Sequence, residues 1–384
     1  MTTVPAFANC HSHVFHRALR GRITGADSFW TWRDQMYALA GVLDPDLLFD
    51  LARATYAEMH AAGIRSVGEF HYLHHRPDGR AYDDPNAMGE ALIAAAREAG
   101  VRIALLDTCY LAAGFGLSTG SRSRAVEGVQ QRFTDGDADA WAARVDDLAR
   151  KHAGEYDVVI GAAIHSVRAV PRDQLATVAG AFPDAPLHVH VSEQPAENEE
   201  CLAATGLTPV ALLAEAGAWT PRTTAVHATH LTPDDVATLG DARSYVCFCP
   251  TTEAELADGI GPSVALRDAG ARLTLGSDSN TVIDMFAEAR AVEMHQRLAS
   301  GVRGAWSAGQ LWQAASSTGH ESLGFAGGDL IEIEESVRTA GADEVLWAAS
   351  AEDVLSTGSR SGAGSRTDAA RDLQAAIDAC WSRT

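Results

Sequence analysis

The chain has 384 residues, 46% of them hydrophobic and 21% charged, which is enough apolar side chain for a large core and excludes disorder of the whole. With 30 basic against 51 acidic residues the net charge is −21, which argues against nucleic acid or an anionic membrane as partner, because both select clustered positive charge. A small anionic substrate stays compatible, since a pocket can be basic inside an acidic protein.

The opening MTTVPAFANC lacks the basic start and long apolar stretch of a signal peptide, and no run reaches the roughly 18 apolar residues of a membrane span. The 6 cysteines lie apart except for Cys247 and Cys249, so a cytoplasmic protein without a disulfide framework is expected. In a buried strand those two cysteines read as small core residues rather than a metal pair.

Along the chain, short β-branched or apolar runs alternate with Ala/Leu-rich stretches at helical spacing. The runs fall near Phe7–Cys10, Arg65–Phe70, Val101–Asp107, Val158–Ile164, Leu187–Val191, Thr223–Val226, Tyr245–Cys249 and Arg272–Gly276. Helical segments between them include Leu47–Ala62, Met88–Ala99, Trp141–Lys151, Asp173–Ala181 and Pro209–Ala216. Repeated β-then-α units predict an α/β fold, a (β/α)8 barrel of TIM type over residues 1–325, in preference to an open sheet. No GxGxxG follows the first run, which counts against a dinucleotide-binding sheet. Residues 281–320 read as helical. Residues 326–355 read as an accessory β segment with one alternating strand, Asp329–Glu334, and a helix near Glu344–Ser350. The Gly/Ser/Arg stretch 356–366 reads as a flexible linker, and 367–384 as a C-terminal helix.

Barrel chemistry gathers where strands end. The first run ends in His11-Ser12-His13, two imidazoles two apart and so on one side of a strand, suited to one metal. The fifth holds His188 and His190. His190 is nearer the mouth and reads as a ligand; His188, one layer down, reads as a hydrogen-bonded interior histidine. Glu193 reads as a proton shuttle or as a carboxylate at a helix start. The sixth run ends at His227, with His230 beyond it as a structural residue, and the eighth leads to Asp278, a ligand and base or a helix N-cap. Each feature has an ordinary structural explanation on its own. Four of them at strand ends favour a site.

These residues lie in longer stretches: HSHVFHRAL (11–19), FWTWRDQMY (29–37), VGEFHYLHH (67–75), HSVRAV (165–170), HVHVSEQ (188–194), VHATH (226–230), CPTTEA (249–254) and GSDSN (276–280). On them, from about Phe7 to Gly328, the chain resembles the formimidoylglutamate deiminases of the amidohydrolase superfamily. The resemblance implies that His11, His13, His190 and Asp278 hold one divalent metal ion, zinc by preference, and that Glu193, His227 and Asp278 serve catalysis. Two-metal members use a carboxylated lysine at the fourth strand end. The only lysine here, Lys151, precedes that strand, whose end carries His165, so a single metal is expected.

The implied reaction is hydrolysis of N-formimidoyl-L-glutamate to N-formyl-L-glutamate and ammonia, a step of histidine breakdown. Asp278 would accept the proton of water, His227 would stabilise the tetrahedral intermediate, and Glu193 would pass a proton to nitrogen. Arg33 and Arg168 fall where the family binds a dicarboxylate substrate, with Tyr72 and His165 beside them. His16 departs from the family's glutamine at that position. As a histidine it is expected to add a pH dependence near its ordinary pKa of about 6.5. Relatives also carry a longer segment before the first strand, so the accessory β-domain is expected to be reduced. A homodimer is expected. The alternative activity is deamination of an amino-heterocycle such as guanine or cytosine. A non-catalytic barrel is disfavoured by the intact ligand set.

Overall fold

A computed structural model describes residues 2–22, 29–116, 123–334, 341–355 and 366–384. After β1 (Thr2–Pro5), eight strands follow: β2 (Phe7–Ser12), β3 (Ile64–His71), β4 (Arg102–Cys109), β5 (Val158–Ile164), β6 (Leu187–Val191), β7 (Thr223–His227), β8 (Tyr245–Phe248) and β9 (Arg272–Leu275). They pair in parallel in chain order, β2 through β9. A bridge between Ser12 and Asp278 joins the last strand's end to the first. The His13 N–H donates to the Asp278 carbonyl at 2.9 Å and the Asp278 N–H to the His11 carbonyl at 2.9 Å. The result is a (β/α)8 barrel, as the alternation predicts.

The strands are buried on both faces and correspondingly apolar, as parallel strands under helices must be. Local sequence starts and stops the helices between them. Asp44 caps Pro45–Ala61, Asp137 caps Ala138–Lys151, and Thr232 with Asp235 forms a reciprocal cap on Pro233–Asp241. At the barrel seam Gly276 is required by close approach, because a Cβ there would lie 2.7 Å from the His11 Cβ. Residues 281–320 resolve into the helices Met285–Ser300, Ala308–Ala315 and Ser317–Ser322.

The accessory region is a small antiparallel sheet, with β10 (Leu330–Ile333) between β1 and β11 (Val354–Leu355). One of its strands therefore comes from the first residues, which the sequence reading gives to the barrel. The helix expected near Glu344–Ser350 spans Ala342–Ala348. Of the expected linker, residues 356–365 lie outside the described residues. The terminal helix Arg366–Trp381 packs on Pro45–Ala61, and the Trp381 indole donates to the Ala18 carbonyl at 2.8 Å. Among the described residues no helix is long and apolar enough to cross a membrane.

Candidate active site

The ligand set predicted from strand ends meets at one point. His190 Nε2 lies 3.0 Å from His11 Nε2 and 3.3 Å from His13 Nε2. Asp278 Oδ1 lies 3.4 Å from His11 Nε2 and 3.5 Å from His13 Nε2. A tetrahedral shell at about 2.0–2.1 Å puts neighbouring donors about 3.3–3.4 Å apart, so the spacing fits one small divalent ion. The protons point the same way. His13 Nδ1 donates to the Phe70 carbonyl and His190 Nδ1 to the His165 carbonyl, each at 3.0 Å. Both Nε2 atoms therefore present lone pairs to each other, an arrangement that a cation between them resolves. Burial, reinforced by neighbouring imidazoles, holds the pKa of His13 and His190 well below the ordinary histidine value, which keeps them neutral ligands. Burial works against ionisation of Asp278, but the contact with His11 and the surrounding imidazoles outweigh it, and Asp278 titrates below the usual carboxylate range.

The first and last barrel strands are braced behind the ligands. Asn9 Oδ1 accepts the Ser277 N–H at 2.9 Å. Asn280 Nδ2 donates to Ser12 Oγ at 3.0 Å and to the His13 carbonyl at 3.1 Å. Buried Arg17 donates to the carbonyls of Asn280 and Thr281. Asp278 and Asn280 both hold left-handed backbone, with φ of 49° and 58°, strain that this bracing sustains.

His227 sits between the acid–base candidates. Its Nε2 is 3.9 Å from Glu193 Oε1 and 3.9 Å from Asp278 Oδ2, and its Nδ1 is 3.4 Å from Glu253 Oε1. Burial alone would depress its pKa; Glu193, Glu253 and Asp278 together raise it well above the ordinary value. Its φ of 67° is also left-handed. Glu253, which the sequence reading missed, is fixed by the Cys249 N–H at 2.8 Å.

A cavity of about 320 Å³ opens over the ligands, lined by His16, Arg33, Tyr72, His165, Arg168 and Glu193 among others. All the substrate-binding candidates thus border one space. Arg33 lies on the helix Phe29–Val42, its guanidinium 5.5 Å over the Tyr37 ring. Arg168 Nε lies 3.9 Å from Glu197 Oε1. Burial pushes the Glu197 carboxyl up to about 7 despite Arg168. Burial takes His165 down to about 3.

A description of the amidohydrolase family matches residues 2–332. The chain belongs to this family. An amidohydrolase from Brucella melitensis, known from its crystal structure, is similar over 99% of this chain and 90% of that one, at 32% identity and a TM-score of 0.88. Formimidoylglutamate deiminase of Pseudomonas aeruginosa is 38% identical over 301 residues, 77% of this chain and 64% of that protein, so the chain spans just under two thirds of that relative. A 5-methylthioadenosine/S-adenosylhomocysteine deaminase of Teredinibacter turnerae is 27% identical over 84% of this chain and 67% of that protein.

Two expectations are corrected in this amidohydrolase. His16 is buried, its Nε2 3.0 Å from the Tyr72 hydroxyl, and burial lowers its pKa to about 4, so it is neutral at physiological pH and supplies no titration near 6.5. His188 is buried as expected, but among the described residues neither of its ring nitrogens has a hydrogen-bond partner. Other expectations hold. His230 Nε2 bonds the Asp258 carbonyl at 2.7 Å, a structural role. Cys247 and Cys249 pack with Ala8, Cys10 and Val226 in an apolar cluster. Lys151 ends a surface helix, 2.7 Å from Glu90, and Tyr72 and His165 border the cavity.

Among the described residues the amidohydrolase has one further buried group of metal-ligand type, His71, His74 and Asp107. Arg144 donates to both Asp107 oxygens at 2.8 Å, and the Trp141 indole to one at 3.1 Å. A guanidinium already neutralises that carboxylate, so this cluster is an ion-pair network that anchors the segment after β3.

Proposed function

We propose that this amidohydrolase hydrolyses N-formimidoyl-L-glutamate to N-formyl-L-glutamate and ammonia, using a single zinc ion. The observation that carries the reading is the shared cavity: a three-histidine, one-aspartate centre and the arginines Arg33, Arg124 and Arg168 border the same space. Arginine forks suit carboxylates, and the substrate has two. The deiminase of Pseudomonas aeruginosa supports the same choice.

His11, His13 and His190 through Nε2 and Asp278 through Oδ1 would hold the ion. Three imidazoles and a carboxylate with an open position suit catalytic zinc. When bound, such an ion supplies Lewis acidity and lowers the pKa of water from about 16 toward 7. Asp278 Oδ2, the oxygen facing His227, accepts the proton of the attacking water. His227 Nε2 donates to the oxygen of the attacking water and holds it against the amidine carbon, while the C=N electron pair moves to nitrogen. Glu193 carries a proton to the amidine nitrogen and then to departing ammonia. Arg33 and Arg168 hold the carboxylates, while His16 and Tyr72, already hydrogen-bonded, fix the wall beside them.

The test is ammonia release from the zinc-loaded protein offered N-formimidoyl-L-glutamate, guanine, cytosine and 5-methylthioadenosine separately. Turnover of the first at least tenfold better than of any base is expected. Preference for a base would replace the reading with an amino-heterocycle deaminase, and no turnover of any would remove the catalytic assignment.

A further inference from the structure

Gln130 is the third residue of a 3-10 turn, Gly128–Arg132, on the cavity wall. Its side-chain oxygen accepts the Glu127 backbone N–H at 3.3 Å, while Glu127 reciprocally takes the Gln130 N–H. A backbone N–H can only donate, so this contact fixes the orientation of the amide. The NH2 end faces two phenols. Gln130 Nε2 donates to the Tyr110 hydroxyl at 2.9 Å and to the Tyr37 hydroxyl at 3.1 Å. One amide nitrogen carries two protons, one for each phenol. Each phenol oxygen thus accepts a hydrogen bond from the amide; the two hydroxyls also reach each other, which uses one of their protons and leaves the other for donation elsewhere.

Tyr37, Tyr110 and Gln130 all border the cavity. Tyr37 lies under the Arg33 guanidinium at 5.5 Å, and the charge of Arg168 acts on Tyr110. The Phe133 ring packs against both phenols, 6.2 Å from Tyr37 and 5.4 Å from Tyr110. The pair is held as one surface of the cavity, with Arg33 over Tyr37.

We propose that Gln130 is a positioning residue that keeps a proton of the Tyr37–Tyr110 pair for a carboxylate of the substrate, so that the phenols and the cavity arginines together select a dicarboxylate. The inference rests on the proposed function. It assigns the selection to an uncharged side-chain amide, which a reading built on arginines alone does not contain.

Gln130→Glu and Gln130→Leu separate this role from a merely structural one. The glutamate keeps size and hydrogen bonding, but it accepts from both phenols and so consumes their protons. Leucine removes the tie and leaves the phenol protons available. If Gln130 only braced the wall, Gln130→Glu would be the milder change in Kd measured at about 0.5 M salt, where repulsion between the added charge and the ligand is screened. The proposal expects the reverse. Calorimetric titration of the zinc-loaded protein with N-formyl-L-glutamate should show Kd raised about 10- to 100-fold in Gln130→Glu, the loss of a charge-assisted hydrogen bond, and raised less in Gln130→Leu. The Tyr37→Phe, Tyr110→Phe double variant removes the same protons without adding charge and should weaken binding at least tenfold. Wild-type affinity in that double variant, or a larger loss in Gln130→Leu than in Gln130→Glu, overturns the inference alone. A wild-type protein that ignores N-formyl-L-glutamate overturns the proposed function as well.

Discussion

His13 and His190 face each other through bare Nε2 atoms 3.3 Å apart, each having given its Nδ1 proton to a main-chain carbonyl. Two lone pairs at that separation repel, and with Asp278 Oδ1 they form a cage of acceptors only. Metal analysis should find about one equivalent per chain. His190→Ala should lose most of it. Because the cage draws on β2, β6 and β9, chelation should lower the melting temperature, and added zinc should restore it in proportion to free ion. Two tightly held equivalents would contradict a mononuclear centre.

Glu193 stands 3.9 Å from His227 and is no part of the cage. Glu193→Gln keeps its shape and removes the proton it carries. Turnover should fall about 10²-fold or more while metal content stays at the wild-type level. Near-normal kcat in that variant would take Glu193 out of the reaction.

The two arginines differ in their surroundings, and their variants should differ too. Arg33 packs on Tyr37, and Arg33→Met should raise KM about 10- to 100-fold. Arg168 faces buried Glu197. Arg168→Met should raise KM by a similar factor and also cost stability, since it strands a carboxyl that is already pushed up to about 7. Adding Glu197→Gln should recover the stability and not the KM. Recovery of both would make Arg168 a structural partner of Glu197 only.

Away from the metal centre, Glu288 is fully buried, with the Thr251 N–H at 3.0 Å and the Thr251 hydroxyl at 2.5 Å from its oxygens. Burial raises its pKa to about 8. Between the ordinary carboxyl value near 4.5 and about 8 the folded chain binds the extra proton, so unfolding free energy declines as pH rises through that window. Glu288→Gln stays neutral throughout. Thermal melts at intervals from pH 5 to 9 should show a shallower decline in the variant than in wild type; parallel curves would mean that Glu288 is ionised in the native state.

The barrel was legible because each βα unit writes its own local pattern, and the observed strands follow the predicted runs closely. The ligands were legible because strand ends can be located from those runs. Features that arise only on closure were not. Asn9 and Ser277 lie 268 residues apart in sequence and meet only at the seam. Glu253 lies just beyond β8, on a short helix, where a search confined to four strand ends does not look. Tyr110 directly follows β4 and could have been found by extending the same rule to that strand, whereas Gln130 lies in a turn with no periodic signal. The protonation of His16 also depended on burial, which residue type does not reveal.

The seam between β2 and β9 has a consequence for how the protein comes into being. Synthesis makes Asp278 some 265 positions after His13, yet it converges with His11 and His13 on one centre. A nascent chain can fold early βα units as they emerge, but the cage has only part of its ligands until the last strand docks against the first. Loading with metal is therefore a late event in the life of the chain, a built-in proof that the ring has been completed. An incomplete product released by the ribosome would lack a full coordination sphere and would compete poorly for a scarce ion.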